Sequence, residues 1–183
     1  MMRIVLAMGC MFLAAVSLVT AAPSSVPTDP TVVRLSGLNG DAFDVAFMQA
    51  LIPVDEESIE MAMTATLYAD HSDLLHWNQA AVERGNEHVR KMLAWLREDG
   101  AGPAERRAGV ATASVKKLRS LRGAALERAY LPLMASQLDK ITALARLAVG
   151  KAHRPELREF AKDAARVESQ DSATLRGWVK LWY

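Results

Sequence analysis

The chain has 183 residues, 22 Lys and Arg against 21 Asp and Glu, 51% hydrophobic residues and one cysteine. A balance this even leaves no electrostatic footprint for nucleic acid or for an anionic membrane surface. The lone Cys10 excludes an internal disulfide and a thiolate-rich metal site.

Met1, Met2 and Arg3 precede a charge-free apolar run from Ile4 to Val19, closed by the small residues Thr20, Ala21 and Ala22. This pattern predicts a secretory signal peptide over residues 1–22. The run is shorter than the ~20 residues of a membrane span, so the expectation is an exported chain with no stable membrane insertion after cleavage. Cleavage would also remove Cys10. Pro23 to Pro30 is rich in Pro, Ser and Thr, which predicts a flexible leader over 23–40.

The first long helix is expected from about Asp41 to Tyr68, where Val45, Met48, Ile52 and Ile59 recur on one face and Pro53 interrupts the run with a kink. The second should span about Leu74 to Arg97, capped by Ser72 or Asp73 and ended by Asp99-Gly100. A basic connector, residues 101–125, holds a short helix that Ser114 caps. The third helix should run from about Ala124 to Val149 and the fourth from Pro155 to the C-terminus. No stretch alternates as a strand does. Four long helices joined as two hairpins predict an all-α fold, an antiparallel four-helix bundle over 41–183.

The two hairpins are copies of one unit. At a constant offset of 83, residues 43–100 overlie 126–183 without a gap, pairing Asp44 with Glu127, Phe47 with Tyr130, Trp77 with Phe160 and Trp95 with Trp178. Asp55, His88, Gln137, Glu168 and Asp171 fall on inward stripes. Buried polar groups need partners, so these five are expected to form one polar layer across the bundle. His71, His76 and His153 lie in turns or a first helical turn, where surface or capping roles are expected. The acids Asp55, Glu56, Glu57 and Glu60 lack the Glu-x-x-His motifs of a di-iron bundle. No nucleophile elbow, phosphate loop or haem-attachment pair is present, which argues against an enzyme.

Phe43-Asp44, Phe47-Met48, Leu51-Ile52-Pro53 and Ile59-Glu60-Met61-Ala62, followed by Val89, Met92 and Trp95-Leu96, resemble the half-repeat of domain of unknown function 305 (DUF305). The resemblance covers Asp41 to Tyr183 and implies a ferritin-like bundle in an exported bacterial protein, periplasmic or secreted. Some members are associated with copper or silver bound through histidine and methionine. The family's paired histidines would fall at Val54 and Asp55 and at Gln137 and Leu138, and all four are absent.

The sequence therefore supports a cofactor-free bundle acting through structure or an unknown protein partner. The alternative is a divergent copper-binding protein whose ligands are His88, Met92 and Met61, the residues that could present one nitrogen and two soft sulfurs.

Overall fold

The structure, a computed structural model, describes residues 29–104 and 111–183. The expected signal peptide lies outside the described residues, as do residues 23–28 of the leader and 105–110 of the connector. The described residues form six helices and no strand: α1 (Pro30–Ser36), α2 (Gly40–Tyr68), α3 (Ser72–Glu98), α4 (Ala113–Arg119), α5 (Gly123–Lys151) and α6 (Pro155–Trp182).

α2 and α5 are each 29 residues long and begin at the offset of 83. Both open on a glycine with positive φ, 60° at Gly40 and 51° at Gly123. A Cβ is disfavoured in that left-handed region, so the same chain reversal is built twice with the same residue. α2 packs on α3, α5 on α6, and the two hairpins join through α2 and α5. Pro53 and Pro132 lie inside α2 and α5 without ending them. Both prolines are exposed, so their rings face solvent and leave the packed interior undisturbed.

The core is continuous along the bundle. Phe43 and Phe47 stack at 5.9 Å, and both are fully buried with Leu51, Met61, Leu74, Met92 and Leu96. Tyr130, at the position of Phe47 in the second copy, is also fully buried and donates its hydroxyl to Asn78 Oδ1 at 2.5 Å. Each such side chain removed from water contributes about 1.5–3 kcal/mol.

Three expectations need correction. Residues 30–36 of the expected leader are helical, because Asp29 caps Thr31 N at 2.7 Å, Pro30 fits the first turn, and Leu35 is fully buried. Neither Ser72 nor Asp73 caps α3, and Ser114 does not cap α4. The α4 cap is Thr112, whose side chain accepts from Val115 N. The N-cap position of α3 is His71, with no local side-chain cap.

The missing cap comes from the other repeat. Glu127 of α5 accepts from Asp70 N at 2.6 Å and His71 N at 2.9 Å in the α2–α3 turn. Reciprocally, Asp44 of α2 accepts from His153 N at 2.9 Å and Arg154 N at 2.7 Å in the α5–α6 turn.

Candidate metal site and its polar layer

α2, α3, α5 and α6 each send side chains to one level of the bundle. Asp55 from α2 and His88 from α3 face each other, with His88 Nδ1 3.9 Å from Asp55 Oδ2. That is too long for a hydrogen bond, and Asp55 Oδ2 is buried with no hydrogen-bond partner among the described residues. A cavity of about 20 Å³ opens beside them, walled also by Trp77, Met134 and Glu168. Trp77 Nε1 is a second buried group with no partner among the described residues.

Arg84, one turn before His88, reaches inward from α3. It donates from Nε to Glu168 Oε1 at 3.2 Å and from Nη2 to Asp171. Long cationic side chains usually carry their charge outward; here two carboxylates of α6 draw it in.

Burial sets the charge states. The Asp55 carboxyl is pushed well above the usual carboxylate range by burial, then by the neighbouring Glu168 and Glu56 carboxylates, against a smaller opposing effect of Arg84. Glu168 is raised by burial, partly offset by Arg84. His88 is lowered to about 4 by burial and then by Arg84 and Lys91. The imidazole is therefore neutral at neutral pH, the form that ligates metals.

Of the five residues expected in the layer, Asp55, His88, Glu168 and Asp171 meet around Arg84. Gln137 does not join them: it is half-buried and donates to Glu57 Oε2 at 2.9 Å, on another side of α2. Of the expected ligands, only His88 lines the cavity. Met61 and Met92 are fully buried and lie outside its walls, whereas Met134 forms part of them. Helical spacing identifies an inward face but not which inward residues share a level. Met134 sits on the inward stripe of α5 beside Gln137, whereas Arg84 carries no inward signal in the sequence.

The turn histidines divide. His153 is exposed and lies 2.6 Å from Asp41 Oδ1. His71 is held more firmly: its Nδ1 is 2.5 Å from Glu127 Oε2, and its ring stacks on Trp182 at 3.9 Å with planes 4° apart. Trp178 stacks on Trp182 in turn, which places the C-terminal aromatics at the bundle end as expected. His76 is exposed on the first turn of α3.

The arrangement tests which ions fit. Among the described residues, no three His, Cys, Asp or Glu side chains converge as a metal site. A hard cation needing several oxygen ligands is thus poorly served. One neutral imidazole, one methionine side chain and one unpartnered carboxyl oxygen border a single cavity, a set whose chemistry fits a soft ion of low coordination number.

The molecule is thus an antiparallel helical bundle of two fused hairpins, with a buried donor layer between them. It has the fold of a DUF305 protein from Streptomyces coelicolor, with a TM-score of 0.65 and 18% identity over 72% of this chain and 88% of that one. CopM in its Cu(I)-bound form is similar with a TM-score of 0.68 and 18% identity, covering 76% of this chain and 97% of CopM. CopM in an Ag-bound form gives 0.67 and 18%, over 76% and 96%. The fold expected from the sequence resemblance is the one found. Scans against protein-family models and curated proteins give no match for this chain. No helix among the described residues is long and apolar enough to cross a membrane.

Proposed function

We propose that this chain is an exported, non-enzymatic bundle that takes up one soft monovalent ion, copper(I) or silver(I), between His88 and Met134, with Asp55 supplying the opposing charge. The observation that carries this reading is that His88, with a neutral imidazole, Met134 and the partnerless Asp55 Oδ2 border one cavity. Arg84 forms its ion pairs with Glu168 and Asp171 and offsets the burial of Asp55 only in part. A bound cation would supply the charge that a proton now supplies. The solved CopM structures with Cu(I), Cu(II) and Ag support a soft-metal role for this fold. The ligands differ from those that the DUF305 resemblance implies, since the paired histidines are absent.

Arg84 favours a second reading. It already places a permanent cation in the layer, which suits a static scaffold working through a protein partner. Titration of copper(I) against a chromophoric competing chelator separates the two. The metal reading predicts one-to-one binding, weakened at least about tenfold by His88→Ala and by Met134→Leu, and unchanged by Met61→Leu or Met92→Leu. Absence of competition with the chelator would leave the scaffold.

A further inference from the structure

α2 exposes Met63 and Leu67, 55% and 72% accessible and one helical turn apart. They border a cleft of about 310 Å³ that Thr64, Tyr68 and Arg119 complete, with Glu60 at its edge. Large apolar groups grouped on a surface mark interaction sites more often than isolated ones do.

The internal repeat supplies a control. At the offset of 83 the same two positions on α5 hold Arg146 and Gly150, both exposed. The fold therefore places no demand for apolar residues there, and their presence on α2 needs another reason.

The charges that α4 exposes without a carboxylate partner are of one sign. α4 exposes Lys116 and Lys117, neither with a carboxylate partner among the described residues. Arg122 lies 3.5 Å from the Tyr68 ring centroid. The cleft's one acid, Glu60, is already paired with Arg119 at 2.5 Å.

We propose that the cleft between α2 and α4 docks an acidic amphipathic helix of a partner protein. Its apolar residues would seat on Met63 and Leu67, and its carboxylates would meet Lys116 and Lys117. Two apolar knobs at i and i+4 form a ridge suited to helix packing. Methionine adapts to the shape it meets, and the unpaired lysines select acidic over basic partners. This surface is independent of the His88 cavity, and either assignment can fail without the other.

The test uses the purified protein and a fluorescein-labelled helical peptide of about 18 residues, five turns, with leucines on one face and glutamates flanking them. Fluorescence anisotropy should show saturable binding that weakens roughly tenfold between about 50 and about 300 mM salt, as screening removes the lysine contribution. Leu67→Ser and the pair Lys116→Glu with Lys117→Glu should each weaken it at least about fivefold. These positions are exposed, so circular dichroism should be unchanged. No saturable binding would overturn the proposal, as would equal binding of a lysine-flanked peptide or indifference to these variants. Self-association lost in Leu67→Ser, without peptide binding, would assign the surface to a second copy and overturn it. Partitioning into vesicles of anionic lipid without peptide binding would overturn it in favour of a membrane.

Discussion

Asp44 and Glu127 do for each other's hairpins what neither does for its own: each buried carboxylate, at the equivalent position of its repeat, caps the turn of the opposite copy. Both are nearly inaccessible, at 2% and 0%. The pair ties the duplicated hairpins together through four backbone N–H groups of the turns that lead into α3 and α6, two of them at the N-cap positions His71 and Arg154.

Alanine at either position should therefore destabilise the fold by about 1.5–3 kcal/mol, since charge-assisted bonds to part-buried donors are lost. Glu127→Ala should be the costlier, because Glu127 Oε2 also accepts from the Tyr183 hydroxyl at 2.5 Å and faces His71 Nδ1. Burial pushes the Glu127 carboxyl up, but the bonds from Tyr183, His71 and Asp70 outweigh it and hold the group below its ordinary range. Its contribution is present above the ordinary glutamate range and lost as pH falls through the lowered value. Urea unfolding of the two variants at neutral and acidic pH checks both the order and the sign.

The glycines give a test with opposite signs. Gly40→Ala and Gly123→Ala put a Cβ at positive φ and should each cost about 1–2 kcal/mol. At Gly123 the added Cβ also meets Asp70 Oδ2 at 2.6 Å, a contact the exposed Asp70 side chain can leave by turning. Gly150→Ala and Gly177→Ala lie inside α5 and α6 with nothing within 4 Å of the new Cβ. They should stabilise by about 0.5–1 kcal/mol. Thermal denaturation of the four variants reads the split directly.

His88 makes a prediction about acid. With its folded value near 4 and an ordinary value near 6.5, the unfolded chain takes the proton first as pH falls. The contribution of His88 is thus complete above about 6.5 and decreases toward 4, by about 3 kcal/mol in all. His88→Gln should flatten that part of the stability profile. An NMR titration of the His88 ring with a midpoint near 6.5 would refute the burial on which this rests.

Asp55 connects stability with binding. Its Oδ2 is buried and partnerless beside a small cavity, so the metal-free protein bears a desolvation cost there. Asp55→Leu should raise the stability of the metal-free protein by about 1–3 kcal/mol and weaken silver binding. A loss of stability on this substitution would mean that Asp55 serves the fold rather than a ligand.

Much of the architecture was legible because it rests on local signals. Apolar spacing, the Pro155 start and the offset of 83 place the four long helices within a few residues of their observed ends. α1 escaped notice because the Pro, Ser and Thr content of the leader masks Asp29-Pro30, a helix start that matters only once Leu35 finds the core. The polar layer was legible in part. Asp55, His88, Glu168 and Asp171 announce themselves as polar residues on inward stripes. Arg84 reads as a surface residue until α6 supplies its two carboxylates, and Gln137 turns to Glu57 by a rotation that spacing cannot register. That Met134, and neither Met61 nor Met92, lines the cavity has the same origin: period gives the face of a helix, whereas the level at which four helices meet is set by tertiary packing.

The most direct test of the proposed ion site is a silver(I) titration of the isotopically labelled protein, following the His88 ring nitrogens and the methionine methyl groups by NMR. The account predicts that His88 and the Met134 methyl shift together and saturate at one equivalent, while His71, His153, Met61 and Met92 stay in place. Shifts confined to the turn histidines or to the exposed Met63, or no saturable shift at His88, would contradict it.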